Sequence, residues 1–192
     1  MNPASIDQPS EAPHSDEQSL MRAVAKGADG AFETLVDRFQ QPVGRLATRL
    51  LGNDAEDVAQ DVFVTVLEKA GGFRGDCSIW TWLTRITLNQ CRNRMRRRQV
   101  RRRFERWCGR RERISPASDA NATASDEASA VRRAIDALPV KDREVIVLGY
   151  LEAQSPREIA ELLGQSQNSV EVRLHRARTR LRGLLEEADV KP

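Results

Sequence analysis

Apolar residues return every three or four positions through most of the chain. Phe32, Leu35, Val36, Phe39, Val43, Leu46 and Leu50 keep that spacing. It predicts an amphipathic helix, because a strand would alternate at every second residue. Pro42 falls inside the run and predicts a kink or a division there. Gly52 predicts its end. The next run, "NDAEDVAQDVFVTVLEKAGG", carries its own boundaries. Asn53 reads as an N-cap, with Glu56 three residues on as in a capping box. Asp54, Glu56 and Asp57 complement the dipole of the first turn. Val58, Val62 and Val66 make an apolar stripe with Phe63, Leu67 and Ala70 beside it, and Gly71-Gly72 stops the helix.

"FRGDCS" then predicts a short loop, followed by a helix from about Ser78 to beyond Arg98. On its wheel Ile79, Leu83 and Ile86 form the apolar arc. Trp82 lies on the edge of that arc, next to Asn89 and Asn93. Trp80 lies off it with Thr84 and Thr87, and Arg85, Arg92 and Arg96 share a flank close to Asn89.

Periodicity stops at "ISPASDANATASDEAS", residues 114 to 129, which reads as a linker. Beyond it, "VRRAIDALP" predicts a helix stopped by Pro139. "VKDREVIVLGYLEAQ" predicts a second; its centre would also suit a buried strand, but its polar flanks and neighbours favour helix. "SPREIAELLG" has Ser155 as N-cap, Pro156 at the first helical position, Glu158 completing a capping box and Gly164 as the stop. A longer helix starts near Gln167, with Val170, Leu174, Ala177, Leu181 and Leu184 facing its core.

The pattern predicts an all-α chain of two small helical domains joined by a flexible linker. The expected divisions are a disordered tail over 1–17, a first domain over 18–100, a basic then polar linker over 101–128, a second domain over 129–186 and a tail over 187–192. Of the 192 residues 31% are charged and 5% aromatic, which suits small helical domains better than one large core.

Charge changes the picture more than composition does. The net charge is only +3, but from Arg92 to Arg113 there are twelve arginines against Glu105 and Glu112. That segregation suggests a polyanion partner for the middle of the chain, or a solvated basic linker. Cys77, Cys91 and Cys108 form no C-x-x-C pair, and His14 and His175 are the only histidines. No metal or cofactor site, nucleophile–base pair or phosphate loop is predicted, so the chain reads as a non-enzyme. Unpaired thiols and the absence of a signal-like or membrane-length apolar run predict a soluble protein of the cytoplasm.

The last two helices read as a helix-turn-helix. In DNA-binding versions the N-terminal part of the second helix enters the major groove. Asn168, Glu171, Val172, His175, Arg176 and Thr179 line its outward face, and Arg173, Arg178 and Arg180 are placed for phosphates. In the first unit, Trp82 beside Asn89, Asn93 and the arginine flank suits unstacked bases and a single-strand backbone, or else tryptophan packing with arginines in water. The acidic run from Asp54 to Asp61 would repel DNA and reads as a solvated face or a protein-docking surface.

These motifs together resemble bacterial sigma factors of the extracytoplasmic-function (ECF) type in the sigma-70 family. "LLGNDAEDVAQDVFVTVLEKAGGFRGDCSIWTWLTRITLNQCRNRMRRR" is similar to their domain 2, a helical bundle. "LPVKDREVIVLGYLEAQSPREIAELLGQSQNSVEVRLHRARTRLRGLL" is similar to their domain 4, a helix-turn-helix. The resemblance implies that Asp54, Glu56, Asp57, Gln60, Asp61 and Phe63 dock on the clamp helices of the largest subunit of core RNA polymerase, and that domain 4 meets its flap. It implies that Phe73, Arg74, Gly75, Asp76, Cys77 and Ser78, with Trp82, Arg85, Asn89 and Asn93, open the −10 promoter element and hold a flipped base, while Arg92, Arg96 and Arg97 hold phosphates. Gln167, Asn168, Glu171, Val172, His175, Arg176 and Arg178 would read the −35 element as duplex. The implied partners are core polymerase, promoter DNA as duplex and melted strand, and an anti-sigma factor.

Some positions depart from the family pattern. Ile79 stands where an aromatic residue is usual, Pro156 where a tyrosine is common, and "S-V-E-V-R" where "T-V-K-S-R" is common. Glu171 thus replaces a cation at an expected base-facing position. The rival reading is a conventional helix-turn-helix regulator on duplex DNA, which leaves the first unit unexplained.

Overall fold

The computed structural model describes residues 14–52, 55–107 and 126–189, and these are helical with short turns and no strand among them. Four helices form the first unit: α1 (His14–Ala25), α2 (Ala31–Leu51), α3 (Ala55–Lys69) and α4 (Ile79–Trp107), with a 3₁₀ turn at Ala70–Gly72. Four form the second: α5 (Asp126–Ala137), α6 (Val140–Ile146), α7 (Pro156–Leu163) and α8 (Gln167–Asp189). A π-helical turn, Val147–Leu151, follows α6.

The apolar spacing places the core. Leu35, Phe39, Val43, Leu46 and Leu50 of α2 are fully buried against Val62 and Val66 of α3 and Ile79 and Leu83 of α4. In the second unit α8 packs on α5, α6 and α7, and Val170 and Ala177 are its buried residues. The α7 signals are all realised: Ser155 and Glu158 form the capping box, Pro156 opens the helix, and Gly164 ends it in the left-handed region at φ 63°.

Several expectations are corrected. Helix α1 begins at His14, inside the stretch read as tail, because Met21 and Val24 are buried and anchor it. Residues 1–13 lie outside the described residues, as do Asn53 and Asp54, and with them the proposed N-cap of α3. Pro42 does not divide α2, which runs unbroken from Ala31 to Leu51; Phe39 and Val43, buried on either side of it, bind both halves to one core. Leu67 leaves the apolar stripe of α3 and is 52% exposed. Helix α4 runs through Trp107, α5 starts at Asp126 and α8 reaches Asp189, so all three enter segments assigned to linker or tail. The linker between Trp107 and Asp126 lies outside the described residues.

The wheel of α4 is also corrected. Thr84 and Thr87 are buried, at 3% and 0% exposure, and Trp80 packs half-buried against the core. The reason is tertiary: α2 and α3 cover one side of α4, while α6 and α7 of the second unit approach another. Thr87 Oγ1 donates to the Leu83 carbonyl at 2.8 Å.

The two units touch directly. A helix leaves its last carbonyls unpaired, and cations are favourable at that end. At the end of α2, Arg132 donates to the Thr48 carbonyl, and Arg143 Nη1 donates to the Leu50 carbonyl at 2.9 Å. In return Arg49 of α2 donates to the Leu151 carbonyl at 2.5 Å and to Glu152 at 2.6 Å.

Candidate nucleic-acid interface

The loop Phe73–Ser78 stands at the N-terminus of α4, and short-range contacts fix its ends. The Phe73 ring meets Trp82 edge to face, with centroids 5.6 Å apart. Ser78 Oγ accepts the Thr81 N–H at 3.1 Å, which makes Ser78 a cap of α4. Gly75 takes φ 78°, a turn few other residues allow. Arg74 and Asp76 are exposed and Cys77 is half-buried. Burial pushes the Cys77 thiol up, Arg85 opposes this, and Asp76 and Glu17 add to it.

One flank of α4 continues from this loop. It carries Arg85, Asn89 and Arg92, and Asn89 Oδ1 accepts from Arg92 Nη1 at 3.3 Å. Asn93, Arg96 and Arg97 follow along the helix, all exposed. The flank faces the second unit across a cleft lined by Arg85, Leu88, Asn89, Arg92 and Glu161–Gly164. Arg85 Nη2 donates to the Glu161 carbonyl at 3.1 Å. Arg92 makes a two-point bond to Glu144 of α6, at 2.6 and 2.9 Å. Glu144 is 2% exposed. Its hydrogen bond raises the Arg92 pKa further, so the guanidinium stays charged. Behind them, burial and then Glu144 push the Cys91 thiol up to about 12.

On α3, Glu56, Asp57, Gln60 and Asp61 are exposed. Asp57 pairs with Arg94 of α4 at 2.9 Å. Phe63 turns toward α2 and meets Phe32 edge to face, at 6.5 Å. The apolar groups that α3 offers to solvent are instead Val64, 56% exposed, and Leu67. Sequence reasoning missed Val64, although its helical spacing from Gln60 and Asp61 places it on their face.

On α8, Gln167, Asn168, Glu171, Val172, His175, Arg176, Arg178 and Thr179 are all exposed along the helix. Gln167 Nε2 donates to Glu171 Oε1 at 2.9 Å. Two of the expected phosphate cations are held inside the unit: Arg173 by Gln165 Oε1 at 2.8 Å, and Arg180 by Asp142. The surface of α8 is therefore open while the flank of α4 is partly covered by α6 and α7. Among the described residues no group of side chains could hold a metal, and no helix is long and apolar enough to cross a membrane.

Comparison with known proteins matches the two units separately. Residues 35–101 match the family described as Sigma-70 region 2, and residues 128–181 match Sigma-70, region 4. The chain is 34% identical over 168 residues to the ECF RNA polymerase sigma factor SigM of Mycobacterium tuberculosis, covering 86% of this chain and 83% of that one. Among solved structures it is similar to CnrH, in complex with the cytosolic domain of CnrY, with TM-score 0.63, 30% identity and coverage of 89% and 97% of the two chains. It also shares its fold with the sigma factor RpoE of Bartonella quintana, in complex with the anti-sigma factor NepR, with TM-score 0.64, 24% identity and coverage of 82% and 98%.

Proposed function

The chain belongs to the ECF sigma factors of the sigma-70 family, and from that premise we propose how its residues divide the work. As a sigma factor it is a promoter-specificity subunit: it binds core RNA polymerase, recognises the −35 and −10 elements, promotes melting and catalyses nothing itself. The unit of α1 to α4 acts as domain 2 and the unit of α5 to α8 as domain 4.

The observation that carries the site assignment is the continuity of the loop Phe73–Ser78 with the Asn89 flank of α4. An aromatic pair, a capped helix start, an amide and a row of arginines follow one another on one edge. A base leaving the duplex loses stacking, and such an edge replaces it with ring and amide contacts while cations hold the strand. Phe73, Arg74, Asp76, Cys77, Ser78, Trp82, Arg85, Asn89 and Asn93 form this reading surface, with Arg92, Arg96 and Arg97 as the phosphate track. The exposed face of α8 reads the −35 duplex through Gln167, Asn168, Glu171, Val172, His175, Arg176 and Arg178. On α3, Glu56, Asp57, Gln60 and Asp61 dock on the polymerase clamp helices, with Val64 and Leu67 as apolar anchors beside them. Asp54 and Phe63 belong to the same segment.

The protein works in the cytoplasm, where polymerase and chromosome lie, and an anti-sigma factor holds it between stimuli. Support for that partner comes from its structural neighbours, one of them solved with the anti-sigma factor NepR. Run-off transcription with purified core polymerase tests the reading. Asn89→Ala is expected to slow promoter opening about tenfold, the loss of one good base contact, while leaving core affinity unchanged. Equal losses in opening and in core binding would remove the base-reading role. A duplex-binding regulator would instead bind DNA without core and add no initiation.

A further inference from the structure

Glu17 lies on α1, outside every surface assigned above, yet only 6% of it reaches solvent. A carboxylate leaves water only where donors replace it. Here the Ile79 N–H donates to Oε2 at 2.7 Å, and the Arg38 guanidinium forms an ion pair with Oε1 at 3.7 Å. Ile79 is the first residue of α4, so its N–H is one of those that a helix start leaves without an intrahelical partner. Ser78 satisfies another, that of Thr81, from within the loop. Glu17 completes from a separate helix the cap that the local sequence leaves open, and its charge faces the positive end of the dipole.

A second contact comes from the next residue. Gln18 lies so close to Gly75 that a Cβ there would fall 2.0 Å from its Nε2. The field of Glu17 also reaches Cys77. Helix α1 therefore holds the loop Phe73–Ser78 at its middle and at its exit into α4. A helix start with free N–H groups attracts phosphate, and the phosphates of a melted strand would compete for it. With Glu17 in place a carboxylate stands at that end, and the exposed Arg74 of the loop and Arg85 of α4 are cations left for a strand on the same edge.

We propose that Glu17 is a positioning residue for −10 base recognition: it fixes the peptide at the exit of the reading loop and keeps phosphate off the start of α4, so that the base is read there. The proposal rests on the assignment of the loop Phe73–Ser78 to the −10 element.

The test uses full-length Glu17→Ala and Glu17→Gln bound to core polymerase. The probes are fork-junction DNAs from a promoter that the protein initiates, carrying a single-stranded −10 segment either matched or changed at one base. Glu17→Ala is expected to keep core affinity and to lose about tenfold in discrimination between matched and changed bases, the factor for one charge-assisted hydrogen bond. Its binding should also become steeper in salt, as an added phosphate contact requires. Glu17→Gln keeps an oxygen acceptor for Ile79 and should recover most of the discrimination. The proposal is overturned if Glu17→Ala discriminates like the parent, if it loses core affinity and discrimination by the same factor, or if Glu17→Gln is no better than Glu17→Ala. Asp76→Ala in the same assay separates the two levels. If it too leaves discrimination intact, the loop assignment fails; if it abolishes discrimination while Glu17→Ala does not, only the positioning role fails.

Discussion

At the scale of single residues, Glu171 separates two kinds of DNA contact. It is exposed near the start of α8 and accepts a hydrogen bond from Gln167. A carboxylate at that place can accept from the amino group of cytosine, or act only through its charge at the positive end of the helix. Glu171→Lys is therefore expected to change the ranking of −35 duplexes by about tenfold at one position, read by competition binding across single-base variants. A uniform rise in affinity for all duplexes, with a steeper salt dependence, would mean that Glu171 works through charge alone. Asn89, Glu171 and the row of arginines were legible in the sequence, because helical spacing alone puts them on outward faces. Glu17 and Glu144 were not. Each is buried by a partner distant along the chain, Ile79 for Glu17 and Arg92 for Glu144, and periodicity carries no information about such a partner.

At the scale of elements, α7 is the clearest case of local sequence fixing local structure. Ser155 Oγ donates to Glu158 Oε2 at 2.6 Å, the Ser155 N–H donates to the same oxygen at 2.7 Å, and the Glu158 N–H returns to Ser155 Oγ at 3.3 Å. These bonds to Ser155 hold the Glu158 carboxyl below its ordinary value of 4.5. A depressed carboxylate stabilises the fold fully above its unfolded pKa, and the contribution disappears as pH falls through the lowered folded value. Ser155→Ala should thus destabilise the protein by about 1 kcal/mol at pH 7, measured by urea unfolding, with the gap to the parent narrowing but not closing in acid below pH 4.5, because the Oγ bond to the Glu158 carboxylate titrates and the Glu158 N–H bond to Oγ does not. A gap that stays constant through that range would mean that the lost cap bond to the Glu158 N–H carries all of it. Where signals are local, as in α7, prediction and structure agree. Where they are tertiary they do not: Thr84 and Thr87 read as the outer face of α4, and only the approach of the neighbouring helices buries them.

At the scale of the whole molecule, the two DNA surfaces are unequally available. The −35 face of α8 is open, whereas α6 and α7 occupy the flank of α4 proposed to hold the −10 strand, with Arg92 bound at two points by Glu144. A melted strand can reach Arg85, Asn89 and Arg92 together only after α4 and α6 separate. Glu144 is 2% exposed and the Arg92 side chain 28%, so the pair is one-sided in its burial. Removing the carboxylate leaves a partly exposed cation that water can reach, at a cost to the closed form of about 2 kcal/mol, below that for a fully buried pair. Glu144→Gln is expected to raise the affinity of the free protein for a −10 single strand about tenfold and to enlarge its radius of gyration in small-angle scattering. Arg49→Ala provides the control: it cuts the contacts to Leu151 and Glu152 but touches no proposed DNA group. If closure limits access, both variants gain affinity together. If only Glu144→Gln gains, the effect is the charge freed at Arg92, and the packing of the two units does not gate the site. If neither gains, the −10 strand binds elsewhere on α4, and the arginines beyond Arg92 become the place to look for it.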